Sequence, residues 1–201
     1  MLGKRPSRIE LFTYMEDDIY QMSIAHSKDS PFKRYLDFLK ELDELTTDEE
    51  TLCQGIGREF INLIENTNMS KVYKMPVLMA FYNHGSIRMA ASEDQLLASW
   101  KEFFSTGTNW KNLDAGITYE KYQAISDKEH VKKILQMPVH FLQESGKGFF
   151  VKRDGFALAL REDLCNVINL PAFAEQMKDV IEYRIMDYYQ RRYRGRADEQ
   201  L

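Results

Sequence analysis

Between Ser70 and Leu160 the apolar residues change their spacing from helical to extended and back in one fixed order, which constrains the fold more than composition does. Ser70 can cap a helix in which Val72, Tyr73, Val77, Leu78, Phe81 and Tyr82 recur at three- and four-residue spacing. Pro76 moves the expected start towards Met75, because a proline in the first turn lacks only an N–H that has no helical partner. Asn83-His84-Gly85 is the stop signal, since glycine takes the left-handed conformation that closes a helix, and Ser86–Ala90 follows as a short strand. Ser92-Glu93-Asp94-Gln95 reads as a capping box opening a helix with Leu96, Leu97, Trp100, Phe103 and Phe104 on one face. An irregular stretch after Gly107 holds Trp110, Gly116, Tyr119 and Tyr122 and ends near Ile125. Ser126-Asp127-Lys128-Glu129 is a second capping box, and its helix, with Val131, Ile134 and Leu135 inward, is expected to stop at Pro138. Val139–Leu142 and Phe149–Val151 then read as strands about a Ser145-Gly146-Lys147-Gly148 turn. Asp154-Gly155 turns the chain again into Phe156–Leu160.

Helix, strand, two helices and a hairpin make the element order of a winged helix-turn-helix. The segment between the second and third helices is longer than such a motif usually spends there. In that arrangement a later helix enters the major groove of DNA while the first crosses the backbone. The contacting surface is therefore assigned to Lys128, Lys132 and Lys133 on the third helix and to Lys147, Lys152 and Arg153 on the hairpin. Asp127, Glu129, Glu144 and Asp154 offset much of that charge, so the expected affinity is modest and sensitive to salt. Winged modules also serve as protein–protein adaptors, in which these lysines only keep the surface solvated. Nucleic acid is the preferred reading, DNA ahead of RNA.

Charge divides the chain. From Glu16 to Glu65 there are 13 acidic and 5 basic side chains, a net of −8, whereas the whole chain carries −4. A phosphate backbone repels such a segment, so its acids read as a solvated face or, alternatively, as a docking patch for a basic partner. One helix is expected from about Pro31 to Leu45, with Tyr35, Leu36, Phe38, Leu39, Leu42 and Leu45 as its apolar stripe. A third capping box, Thr47-Asp48-Glu49-Glu50, opens another through Phe60, Ile61 and Ile64 to Asn66.

At the other end Arg161-Glu162-Asp163 opens a short helix. Pro171 begins a long one to about Tyr193, with Phe173, Met177, Val180, Ile181, Ile185, Tyr188 and Tyr189 on a broad face. Arg184, Arg191, Arg192, Arg194 and Arg196 make its end basic. A helix dipole favours one or two such cations, at roughly 0.3–1 kcal/mol each. Five of them, interleaved with Tyr188, Tyr189 and Tyr193, can grip phosphates while the rings stack on bases, or can form a frayed soluble tail.

With 44% hydrophobic and 29% charged residues the chain has a globular composition. No apolar run approaches the roughly 20 residues that span a bilayer. Met1–Pro6 lacks the apolar core of a secretory signal, so a cytoplasmic protein with no membrane partner is expected. Cys53 and Cys165 have no metal-ligand spacing and are expected to be buried thiols and not a disulfide. Gly146-Lys147-Gly148 lacks both the preceding glycine and the following hydroxyl of a phosphate loop, and neither G-x-S-x-G nor H-E-x-x-H occurs. His26, His84, His130 and His140 are scattered; a nuclease or metal site built from His84, His140 and acids is the minor alternative to ordinary surface roles. Glu16-Asp17-Asp18 cannot share one helix face. No catalytic, metal or cofactor residue is assigned, and the chain is read as a non-enzyme.

The segments Gly3–Phe12, Asn66–Leu78, Pro138–Leu142 and Arg153–Leu158 resemble the C-terminal region of bacterial DEAD/DEAH-box helicase-like proteins, a superfamily 2 group common in firmicutes. The resemblance runs over nearly the whole chain. It implies an accessory region whose ATPase lies in an upstream motor, the motor domain as a partner, and no ATP-binding residue here. The expected architecture is mostly α with a small antiparallel sheet: an acidic helical region (1–69), a winged-helix-like module (70–160) and closing helices with a basic tail (161–201), joined as one compact unit. The long closing helix is expected to pack on the N-terminal helices, or to pair with a second copy as a homodimer. Two functions follow: a non-catalytic nucleic-acid-binding accessory domain, or a coupling domain that docks on a motor or another partner protein.

Overall fold

Capping decides where many of the helices begin. The computed structural model describes residues 5–25 and 30–198, and for residues 24–25 and 193–198 the backbone course only. Ser7 accepts the Glu10 N–H while Glu10 accepts the Ser7 N–H, opening α1 (Arg8–Tyr14), a capping box that the sequence reading passed over. Next come α2 (Asp17–Ala25), α3 (Tyr35–Glu41), α4 (Thr47–Cys53) and α5 (Ile56–Asn66). The box that opens α4 is made by Thr46 and Glu49, one residue before the Thr47 signal. Gln54-Gly55 divides the expected single helix, with Gly55 taking the N-cap of α5.

α6 spans only Lys74–Met79 and carries Pro76 in its first turn. Tyr82–Asn83 (β1) pairs with Ser86–Ile87 (β2) across His84 and Gly85, both at positive φ (47° and 85°). Asn83-His84-Gly85 therefore closes a hairpin instead of a helix. The single strand expected over Ser86–Ala90 is broken, since Ala90–Ala91 forms a separate β3. α7 (Glu93–Ser105) starts at the Ser92–Gln95 box as the sequence predicts. A 3-10 turn (Asn109–Asn112) and α8 (Tyr119–Gln123) occupy the stretch read as irregular, and α9 (Asp127–Ile134) starts at the Ser126–Glu129 box.

Pro138 does not end that helix. The chain continues through a π-helical turn, Leu135–Val139, into α10 (His140–Ser145), and the His140 N–H donates to the Leu135 carbonyl five residues back. A proline removes one N–H and its ring presses on the carbonyl four residues earlier; the wider π turn accommodates both. Val139–Leu142 is thus helical, and no hairpin turns at Ser145–Gly148. The hairpin comes later, where β4 (Phe150–Arg153) and β5 (Phe156–Leu160) meet at Asp154-Gly155. β3 pairs with the other edge of β5, giving the antiparallel order β3-β5-β4. Gly146 lets the chain leave α10 at this point: a Cβ there would lie 2.2 Å from the Leu142 carbonyl oxygen and 2.5 Å from the Phe150 ring. A 3-10 turn (Glu162–Asn166) leads into α11 (Pro171–Asp198), a helix of 28 residues. The chain is mostly helical, with a small antiparallel sheet and a long C-terminal helix.

Two compact units result: residues up to Asn68 with those from Asn166 onward, and Met69–Cys165. In the first, α11 packs on α1, α4 and α5. Tyr20, Phe32 and Tyr183 form a ring cluster with Phe12, and Phe60 meets Phe173 edge-on. Charge is buried among these rings. Arg8, at 0% exposure, holds Glu65 and Asp179, each at 2.7 Å. Glu49 accepts from Arg5 at 2.6 Å and from Gln176 at 2.8 Å. The second unit has an apolar and aromatic interior, with Trp100, Phe104, Phe81, Leu113 and Leu158 fully enclosed and the Tyr73 hydroxyl donating to the Leu113 carbonyl.

Candidate nucleic-acid interface

The continuous α9–π–α10 helix buries His130, Ile134, Pro138, Val139 and Leu142, which follows from their helical spacing. Its opposite face presents Lys128, Glu129, Lys132, Gln136, Met137, His140, Phe141 and Glu144 to solvent. Among the described residues Lys128 and Lys132 have no ion-pair partner, so two of the three cations assigned to this helix are exposed and available. Lys133 is not: its Nζ donates to both Asp114 carboxylate oxygens at 2.6 Å and lies 5.6 Å from the Tyr73 ring centroid. Asp127, counted as an acid weakening this face, is held by Lys101 at 2.7 Å.

Lys147 is exposed but stands at the end of α10, in the left-handed conformation at φ 49°, and not on a hairpin. Lys152 and Arg153 do belong to the hairpin, on β4 beside the Asp154-Gly155 turn. Arg153 lies opposite Phe156 in the ladder, and a register shift between Val151 and Arg153 interrupts the pairing. Both cations are exposed, and Phe156 shows 46% of its surface beside them. Among the described residues Lys147, Lys152 and Arg153 make no ion pair, so their charge is open to a ligand. The predicted juxtaposition of a residue-147 hairpin with the third helix is thereby replaced by a helix end, a turn and a later hairpin.

The arginines of α11 separate by role. Arg184, read as part of a basic end, is buried and donates to the Glu65 and Thr67 carbonyls at 2.7 and 2.5 Å, capping the C-terminus of α5. Arg191 binds Asp187 at 2.8 Å, and Asp187 also accepts from the Tyr20 hydroxyl at 2.6 Å. Arg192 donates to the Tyr188 hydroxyl at 3.4 Å, and Tyr188 is buried, so it offers no ring for stacking. The side chains of Tyr193, Arg194 and Arg196 lie outside the described ones. Arg191 and Arg192 belong to the first unit and the lysine group to the second.

The histidines divide similarly. His130 is buried and its Nδ1 accepts the Trp100 indole N–H at 3.2 Å; burial, with the nearby Lys101 ammonium second, holds its pKa below the ordinary imidazole value. His84 occupies the β1–β2 turn, His140 lies 3.3 Å from Glu144 at the surface, and His26 is outside the described residues. Among the described residues no group of three or more His, Cys, Asp or Glu is arranged to hold a metal ion. Cys53 is half-buried, with its thiol pushed up by burial, while Cys165 is exposed, so neither is the fully buried thiol expected. Among the described residues no helix is long and apolar enough to cross a membrane.

One group escaped the sequence reading as a site. Trp110, Tyr119 and Tyr122 come together beside α8, and the only available signal was a tyrosine pair three residues apart after the Thr118 cap. No protein-family model, no curated protein and no solved structure matches this chain, so its candidate surface rests on its own geometry.

Proposed function

We propose that this chain is a non-catalytic nucleic-acid-binding domain, serving as an accessory to a helicase-like motor in the cytoplasm. The observation that carries the reading is the run of exposed cations Lys128, Lys132, Lys147, Lys152 and Arg153 along one helix–turn–hairpin stretch, none of them in an ion pair among the described residues. The acids Asp127 and Asp114 near that stretch are already engaged by Lys101 and Lys133. The order of elements supports a winged-helix reading: a strand precedes the α7 and α9 helices and pairs with the last strand of the β4–β5 hairpin. DNA is the preferred ligand, because its major groove admits a helix whereas that of duplex RNA is too deep and narrow.

The test is binding of labelled duplex and single-stranded DNA at about 50 mM salt, where phosphate contacts are strongest. Binding is expected, and reversing Lys128, Lys132, Lys152 and Arg153 to Glu is expected to abolish most of it. Absence of binding by the unaltered chain sinks the reading; unchanged binding by the variant removes this surface. A second reading, docking on a protein partner, is favoured by Met137 and Phe141, which expose 40% and 44% one helical turn apart on the same face. Its signature is a partner that co-purifies in nucleic-acid-free preparations and is lost on Met137→Ser with Phe141→Ser.

A further inference from the structure

Within the second unit, the Trp100 and Phe104 rings expose nothing and Tyr73 only 6%. Trp110 and Tyr122 are only half-buried and Tyr119 is exposed. The Trp110 and Tyr119 ring centroids are 5.4 Å apart, Trp110 and Tyr122 are 6.4 Å apart with planes within 24°, and Tyr119 and Tyr122 are 6.2 Å apart. Each ring touches the other two, and Tyr119 still exposes 47% of its surface. The helix that carries both tyrosines, α8, has five residues and buries none of them. So short a helix is marginal by itself, and the rings hold it in place. What remains is an aromatic group half open to solvent, with Tyr119 its most exposed ring.

Charge qualifies what that surface can take. Lys111 places its Nζ 5.5 Å from the Trp110 ring centroid, and Lys121 is exposed on α8; among the described residues neither has an ion-pair partner. Asp114, inside the segment, and Asp127, just beyond it, are paired with Lys133 and Lys101. Only Glu120 remains as an unpaired acid on α8 itself. Flat apolar faces with free ammonium groups at their margin match the chemistry of a single strand, whose bases offer π-faces and whose phosphates offer charge.

Resting on the nucleic-acid reading above, we infer that Trp110, Tyr119 and Tyr122 form a stacking platform for unpaired bases, with Lys111 and Lys121 holding the adjoining phosphates. In a duplex the bases are stacked on one another and unavailable, so this platform discriminates single strands or frayed ends from blunt duplex. The preference is sequence-tolerant, because every base has a face to stack.

Anisotropy of a labelled deoxythymidine oligomer and of a labelled blunt duplex, titrated with the full chain, separates the possibilities. Tyr119→Ala is expected to weaken oligomer binding about tenfold and to leave duplex binding within about twofold, the size of one lost base–ring stack. Tyr119→Phe, which keeps the ring, is expected to restore binding, and Lys111→Glu with Lys121→Glu to weaken it in a salt-dependent way. If the duplex binds but the oligomer does not, or if Tyr119→Ala leaves the oligomer unaffected, the platform is refuted while the nucleic-acid reading stands. If neither ligand binds, both fall. Perturbation of Trp110 fluorescence by a proline-rich peptide and not by the oligomer overturns the platform in favour of peptide recognition.

Discussion

The two units solve the same problem by opposite means. The first, built from both ends of the chain, buries ions: Arg8 with Glu65 and Asp179, Glu49 with Arg5 and Gln176, and Arg184 on the last carbonyls of α5. The second buries rings and aliphatic side chains, and its helices α7 and α9 are set by capping boxes that lie within four residues of chain. A buried ion network is all-or-none, because removing one partner strands the others in a poor solvent. An apolar interior loses stability in increments. The difference also shows in the cations: Arg8 and Arg184 of the first unit are buried against internal partners, whereas Lys128, Lys132, Lys147 and Lys152 of the second are exposed.

The contrast is broken most directly at Arg8. Arg8→Ala is expected to cost about 3–5 kcal/mol, the usual penalty for stranding buried carboxylates, read as a fall in the urea midpoint by circular dichroism. Both tryptophans, Trp100 and Trp110, lie in the second unit, so indole fluorescence follows that unit alone. The dichroism curve is expected to shift ahead of the fluorescence curve; coincident curves would show that the units unfold together and erase the contrast. Gly146→Ala, which forces a Cβ against the Leu142 carbonyl and the Phe150 ring, is expected to cost roughly 1–3 kcal/mol and to move the fluorescence curve first. Ser126→Ala should remove about 1 kcal/mol by deleting one cap of α9.

Three titrating groups give smaller effects that differ between the units with pH. Burial alone would raise the Glu49 carboxyl, but the hydrogen bonds from Arg5, Thr46 and Gln176 outweigh it and hold its pKa below the ordinary range. Its contribution is therefore complete above the unfolded carboxylate value of about 4.3 and is lost as pH falls through the lower folded value. Glu49→Gln should flatten that acid limb of the dichroism midpoint. Glu65 behaves oppositely: burial pushes its carboxyl up despite Arg8, so its part is complete below the unfolded value and lost as pH rises through the folded one. In the second unit, the depressed His130 pKa makes its contribution complete above the unfolded value of about 6.5 and lost as pH falls through the folded one. A His130→Gln variant whose fluorescence midpoint keeps the same slope below neutrality would remove that assignment.

Local chemistry was legible in the sequence and distant chemistry was not. The Ser92 and Ser126 boxes and the long closing helix follow from signals within a few residues, and they stand where the sequence puts them. Thr46 and Thr47 compete for one cap, and only the Glu49 carboxylate, which reaches back to the Thr46 N–H at 2.9 Å, selects the first. Pro138 reads as a stop because a π turn has no local sequence signature, and the apolar run after it is equally compatible with a strand. Arg184 and Lys133 look like free surface charge because their partners lie 119 and 19 residues away. The aromatic platform was visible as residue types, but nothing in their spacing brings Trp110 against Tyr119.

That Arg8 closes on Asp179, 171 residues downstream, has a consequence for how the chain is made. At a synthesis rate of 5–20 residues per second, Arg8 leaves the ribosome about ten to thirty seconds before that carboxylate exists. The nascent first unit cannot assemble in that interval, while every residue of the second has already been synthesised. A chain released shortly before Asp179 would hold every residue of the inner unit but not the carboxylate that closes the first one, so cellular proteases would meet a folded middle with an unfolded segment before it.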